Sequence, residues 1–219
     1  KPHIMKSPVS MEYLQQQYGY ILYRTSTTLH GPTTIDLVGA ADRVHYFIDE
    51  QLDDIRYDGS IPTLKTIDLK NSATQLDFLV ENMGRVNFGY NMNAQQKGIR
   101  GPILLQGEIH QGVEVFPLGM SNLDTLDFSR EYVANTPSFS RFYLTIDEPH
   151  DTFLQLDGFH KGFVIINGFN IGRYYHVGPQ KTLYVPGPIL KAGKNEIIVF
   201  ESDGTVSQTI EFLDHNKLG

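Results

Sequence analysis

Cysteine is absent from the 219-residue chain, so disulfides and thiolate metal sites are excluded. Tryptophan is absent too, beside 12 Tyr and 13 Phe, and any stacking on a flat ligand falls to rings of smaller area. Uninterrupted aliphatic or aromatic runs stop at about four residues, which leaves nothing long enough for a membrane-spanning helix. Positive charge is short: 18 Lys and Arg face 25 Asp and Glu, for a formal net charge of −7. Neither a nucleic acid nor an anionic membrane is therefore an expected partner. Long amphipathic helical segments alternating with strands are missing as well.

What is present describes a globular chain, 40% hydrophobic and 20% charged, long enough for one large or two small domains. Residues 1–10 read as an extended arm, and Ser10 as the cap of a short helix over 11–17. Strands are expected at 20–25, at 33–37 after the Gly31-Pro32 break, and at 44–49, with a turn at Asp58-Gly59. Val44, Tyr46 and Ile48 alternate there with His45, Phe47 and Asp49. Leu76, Phe78 and Val80 share a face of the next strand, and 103–106 and 113–116 complete the set. The pattern weakens from Pro117 to Phe139. It resumes with Phe142, Leu144 and Ile146, followed by strands at 151–157, 162–167, 182–185, 195–201 and 205–213, with Asp203-Gly204 as a hairpin turn.

The stretch 161–201 is the most informative. Its apolar runs are separated by turn chemistry: Asn167-Gly168 tolerates positive φ, and Pro186, Gly187, Pro188 and Gly193 interrupt any helix. A polar loop from Arg173 to Gln180 lies between strands. Asn167-Gly168-Phe169-Asn170-Ile171-Gly172-Arg173-Tyr174, then Gly178-Pro179-Gln180 and Thr182-Leu183-Tyr184-Val185-Pro186, resembles the C-terminal signature of β-galactosidases of glycoside hydrolase family 35. Met11-Glu12 with Tyr18-Gly19-Tyr20-Ile21-Leu22-Tyr23-Arg24-Thr25 resembles the start of that family's first β-domain. Gly84-Arg85-Val86-Asn87-Phe88-Gly89 resembles an internal segment of the same domain. The resemblance covers nearly the whole chain, but only the family's C-terminal part. It implies that the two catalytic glutamates lie on a preceding (β/α)8 barrel, which needs roughly 250 residues of its own. A start at Lys1 rather than Met suits an excised or processed chain.

Candidate chemistry is sparse. A glycosidase needs two carboxyl groups about 5–5.5 Å apart for retention or 6.5–9.5 Å for inversion. Asp53/Asp54, Asp147/Glu148/Asp151 and Glu201/Asp203 are local clusters near strand ends, read as solvated loops, and Asn195-Glu196 heads a sandwich strand. No catalytic residue is assigned. Asp53, Asp54 and Asp58 offer oxygens to calcium, but a solvated acidic loop is the preferred reading, and neither a metal nor a cofactor is expected. Two contact candidates remain. In the loop 84–90 Arg85, Asn87 and Phe88 are presented between glycines, and the resemblance implies a place near the galactose cleft; the alternative is that Arg85 and Asn87 bond a neighbouring loop. Arg173, Tyr174 and Tyr175 offer a guanidinium for hydroxyls and rings for stacking. The alternative there is a half-core Tyr174 with Arg173 against the barrel or a second copy.

The expected fold is all-β: two consecutive jelly-roll or β-sandwich domains, 1–119 and 141–219, joined by a linker at 120–140, the second galactose-binding-like by resemblance. The resemblance implies a non-catalytic region of a β-galactosidase that braces the barrel and walls its cleft. Expected partners are the barrel, a galactoside substrate and a second copy of the chain in a homodimer. An autonomous module that binds galactosides is the alternative; family members often carry Trp near Phe159, Val164 and Tyr175, and its loss weakens that reading.

Overall fold

The computed structural model describes residues 1–57, 64–90 and 92–219, and among these the regular structure is strand apart from one 3-10 turn, Gly187–Ile189. Two compact units divide the chain, Lys1–Thr125 and Leu126–Gly219.

In the first unit the strands are β1 (His3–Met5), β2 (Tyr20–Thr27), β3 (Gly31–Leu37), β4 (Ala40–Ala41), β5 (Arg43–Ile48) and β6 (Gln51–Tyr57). There follow β7 (Lys65–Leu69), β8 (Thr74–Glu81), β9 (Gly98–Ile99), β10 (Ile103–Leu105), β11 (Glu108–His110) and β12 (Val113–Leu118). A six-stranded antiparallel sheet, β1-β12-β2-β8-β5-β6, and a four-stranded one, β11-β10-β3-β7, supply one hydrophobic core, while β4 pairs with β9. Period-two alternation decides which residues enter it. Ile21 and Tyr23, Val44 and Tyr46, and Leu76, Phe78 and Val80 come from the larger sheet; Ile35, Leu37, Ile67, Leu69 and Ile103 come from the smaller. Each such side chain contributes about 1.5–3 kcal/mol by leaving water.

Several expectations are corrected here. The segment 11–17 is a turn, not a helix: Leu14 and Gln15 donate to Met11 and Glu12 carbonyls, and Gln15 sits at φ 58, where a helix cannot continue. Gly31-Pro32 does not precede β3 but opens it, at the strand start where proline is tolerated. The alternation in β5 is right, yet His45 and Phe47 are buried as well and stack at 6.2 Å, so this strand is covered on both faces. The turn expected at Asp58-Gly59 lies outside the described residues.

The second unit holds β13 (Ser138–Ile146), β14 (Thr152–Gln155), β15 (Lys161–Ile166), β16 (Phe169–Tyr175), β17 (Thr182–Val185), β18 (Gly193–Glu201) and β19 (Glu211–Leu213). Sheets β13-β18-β15-β16 and β17-β14-β19 enclose a core of Leu154, Phe159, Val164, Ile166, Leu183, Val185, Ile197 and Val199. Asn167 (φ 50) and Gly168 (φ 83) make the tight β15–β16 turn. Asn167 also donates to Asn195 Oδ1 at 2.8 Å, and the buried Asn195 amide donates in turn to the Lys191 carbonyl at 2.8 Å. Arg173, Tyr174 and Tyr175 therefore lie in strand β16, not in a loop. Nor is Asp203-Gly204 a hairpin turn. β18 pairs with β13 and β15, whereas β19 pairs with β14 in the other sheet, and Gly204 accepts the Asn135 N–H at 3.1 Å. A Cβ at Gly204 would lie 2.2 Å from Thr136 N, so the close backbone approach requires glycine.

Two charged pairs lie deep in the first unit among the described residues, Arg43 with Glu81 and Lys97 with Asp42, and the second has the closer geometry. Lys97 is 2% exposed and its ammonium donates to both Asp42 carboxylate oxygens, at 2.7 and 2.8 Å; Asp42 also accepts the Met83 N–H at 2.8 Å. Replacing only Lys97 leaves a buried carboxylate without its counter-ion. Lys97→Met is expected to lower stability by about 3–5 kcal/mol in urea denaturation, and Asp42→Asn in the Lys97→Met background is expected to restore part of it; equal stability of Lys97→Met and the parent chain would refute this account.

Candidate functional site

The loop 84–90 is built on that ion pair. Lys97 also donates its backbone N–H to the Glu12 carboxylate, at 3.0 and 3.2 Å, and Glu12 binds the Arg85 guanidinium at 2.7 Å. Arg85 donates further to the Gln17 carbonyl at 3.3 Å and the Gln95 carbonyl at 3.4 Å, while Gln95 Oε1 accepts the Val86 N–H at 3.0 Å. Arg85 is thus engaged within its own unit. It holds the root of a loop whose tip is bare: Phe88 is 90% and Tyr90 96% exposed, and Asn87 is exposed beside them. Tyr13 and Tyr18, on the segment that Glu12 and Gln17 tie to this loop, are also exposed.

The other sequence candidates occupy the second unit and divide. Arg173 is exposed on the edge strand β16. The Tyr174 hydroxyl donates to the Phe200 carbonyl and to Glu201 Oε2, both at 2.8 Å, and its ring meets Phe159 edge-on at 6.2 Å. Tyr175 carries the Lys161 ammonium over its ring at 4.8 Å. Tyr174 and Tyr175 do converge on an open cleft of about 700 Å³, with Gln155, Asp157, Phe159 and His176. Gln180, Lys181, Asn216 and Lys217 complete its rim. Sequence reasoning missed these polar residues because they come from four separate segments; the one local sign was the Tyr174-Tyr175-His176 run.

Asp53 and Asp54 lie within strand β6, not in the solvated loop expected for them, and both have side-chain partners. The Lys65 ammonium lies 2.8 Å from Asp53 and 2.9 Å from Asp54, and Arg56 lies 2.8 Å from Asp54, so side-chain cations occupy the place weighed for calcium. Asp58 lies outside the described residues, and among those described no group of three or more metal-ligating side chains is present. Glu201 is fully buried and accepts from the His160 and Asp203 N–H groups, each at 2.8 Å, besides Tyr174. Burial pushes its carboxyl up, and these donors restrain the rise.

Comparison with known proteins agrees with the two-unit organisation. Residues 8–119 match the family described as "Beta-galactosidase, first all-beta domain", and residues 137–195 match "Beta-galactosidase, galactose-binding domain". The chain belongs to the β-galactosidase family. Beta-galactosidase-1-like protein 2 of Homo sapiens is 35% identical, covering 100% of this chain and 36% of that protein. Beta-galactosidase 1 of Dictyostelium discoideum is 33% identical, covering 90% of this chain and 32% of that protein. The Beta-galactosidase of Bos taurus is 37% identical, covering 94% and 36%. The chain therefore spans about a third of the length of the curated relatives it matches.

Two outcomes follow from the site geometry. Burial opposes ionisation of Glu12, but the Lys97 N–H and Arg85 outweigh it and hold the carboxyl below the usual range. Its contribution is present above the unfolded value of about 4.3 and is lost as pH falls through the lower folded value. Hydrogen exchange of amides 84–90 should accelerate over that acid window in the parent chain and not in Glu12→Gln; parallel behaviour would remove Glu12 as the clamp. Tyr174→Phe should cost about 2 kcal/mol by depriving buried Glu201 of a donor. Because Glu201 is raised, the folded state is penalised as pH rises through its folded value, so this loss should be larger at about pH 7 than at about pH 4. A loss independent of pH in urea denaturation would argue against the assignment.

Proposed function

We propose that this chain is the non-catalytic C-terminal all-β region of a β-galactosidase, and that it braces the catalytic barrel and walls one side of its cleft. The intact enzyme would hydrolyse terminal β-D-galactosyl residues with retention, by the two-carboxylate route on the barrel. The observation that carries this reading is the pairing of a clamped root with a bare aromatic tip at 84–90. Phe88 and Tyr90 are large rings held in water, beside exposed Tyr13 and Tyr18. Such rings are enriched at protein interfaces, and a fixed root lowers the ordering cost of docking them. The side-chain partners of Asp53, Asp54 and Glu201 support the same reading, since none is left as a pair across an open cleft.

A test uses the purified chain and the separately produced catalytic barrel of a homologous β-galactosidase. The chain alone is expected to release nothing from a chromogenic β-galactoside. It should bind the barrel in calorimetry, and Phe88→Ser combined with Tyr90→Ser should weaken that binding by about 30-fold or more, the worth of an interface hot spot. Hydrolysis by the chain alone, or undiminished binding by the double variant, would overturn the proposal.

A further inference from the structure

The β15–β16 turn carries a reactive dipeptide and, around it, the bonds that hold it still. Asn167-Gly168 is the one Asn-Gly pair in the chain. An asparagine before glycine loses its side-chain amide readily, because the next backbone nitrogen reaches Cγ with no Cβ to obstruct the approach. Both residues are exposed, and a Cβ at Gly168 would meet nothing within 4 Å, so base from solvent reaches the Gly168 N–H. Among the described residues that N–H has no hydrogen-bond partner. The electrophile is placed differently. Asn167 Nδ2 donates to the Ile189 carbonyl at 2.9 Å and to Asn195 Oδ1 at 2.8 Å, and Asn167 Oδ1 accepts the Glu196 N–H at 3.1 Å. The Asn167 N–H donates to the Glu196 carbonyl at 2.9 Å. Asn195 has no freedom to turn away: it is fully buried, and its amide donates to the Lys191 and Gly193 carbonyls at 2.8 and 3.1 Å.

Ring closure needs Gly168 N within about 3–3.5 Å of Cγ, over the face of the amide. The side-chain bonds of Asn167 tie that amide instead to β18 and the 3-10 turn, so it does not swing round to its own neighbour while they hold. The positive φ of the two turn residues, 50 and 83, fixes the backbone as well. We infer that Asn167-Gly168 is a deamidation site closed by the fold, which reacts only when the corner of β15, β16 and β18 opens. In the opened chain Gly168 N gives its proton to base and bonds to Cγ. The Cγ–Nδ2 bond breaks, and Nδ2 leaves as ammonia after taking a proton from water. Water then opens the cyclic imide at either carbonyl, leaving aspartate or isoaspartate. Neither product restores the corner. A carboxylate only accepts, so both donations by Nδ2 are lost and its charge faces the Ile189 carbonyl and Asn195 Oδ1. Isoaspartate also lengthens the backbone of the tight turn, which disturbs the hairpin register. The modification therefore records openings of the second unit, and it does not depend on the bracing role.

The test incubates the full chain at mildly alkaline pH, folded and in urea, and follows residue 167 by peptide mapping with fragmentation that separates asparagine, aspartate and isoaspartate. In urea Asn167 should convert ahead of every other asparagine. In the folded chain it should convert about 100-fold more slowly, as expected of a site that reacts through opening. Asn195→Ala removes one acceptor, and a folded sample of it, with a dispersed amide spectrum, should convert about 10-fold faster than the folded parent. Asn195 is buried, so a second variant tests the inference without it: Asn167→Asp, an exposed position that mimics one product, should unfold at a lower urea concentration. Equal rates in the folded chain and in urea, another asparagine reacting first in urea, a folded Asn195→Ala no faster than the parent, or an unchanged urea midpoint for Asn167→Asp would each overturn the inference.

Discussion

Burying the Lys97 ammonium sets the terms for the first unit. Removing two charges from water costs several kcal/mol per ion unless geometry and further hydrogen bonds compensate. Asp42, just before β5, Met83, just after β8, and Lys97, just before β9, must therefore meet in one arrangement. Glu12 joins through the Lys97 backbone, and the Tyr23 hydroxyl closes the neighbouring ring by donating to the Val9 carbonyl and accepting the Ile99 N–H. Gly98 is the consequence: a Cβ there would lie 2.3 Å from the Tyr23 oxygen. Through Arg85 the same arrangement fixes where the 84–90 loop leaves the sandwich, so a core electrostatic requirement becomes a surface position.

The second unit solves a parallel problem with a single carboxylate. Glu201 gathers backbone donors from 160, 161 and 203 and the phenol of Tyr174, so the end of β18 and the start of β15 are held together where the core runs out. The ring that satisfies Glu201 is also a wall of the cleft. Packing and site are therefore not separable at Tyr174, and a purely core reading or a purely binding reading of that residue omits half of its surroundings.

Much of the fold was legible because strand burial has a period of two: Leu76, Phe78 and Val80, or Phe142, Leu144 and Ile146, declare their face without help. The β15–β16 turn was legible because Asn-Gly tolerates the backbone it requires. What escaped was non-local. β6 and β16 are edge strands with mixed burial, and half-exposed alternation is weak when both faces carry polar residues. Gly204 looked like a hairpin because a glycine at positive φ has the same local signature whether the chain turns back or crosses to another sheet. The loop 84–90 and Tyr174-Tyr175 were visible as motifs. That Arg85 answers Glu12, or that Asp157 and Asn216 share a cleft with Tyr174, requires contacts between residues distant in sequence, which no window along the chain contains.

The register shift between Val164 and Ile165, where β15 pairs with β16, has a consequence for the chain in a crowded solution. Among the described residues β16 is a terminal strand of its sheet, and a straight edge is a template on which another extended chain can add itself. The irregularity bends the ladder there, Gly172 at φ 132 departs from the strand conformation, and Arg173 sets a charge on the rim. The eight residues that read as a family signature thus also carry a bulge, a glycine and a charge, the features by which edge strands disfavour further strand addition.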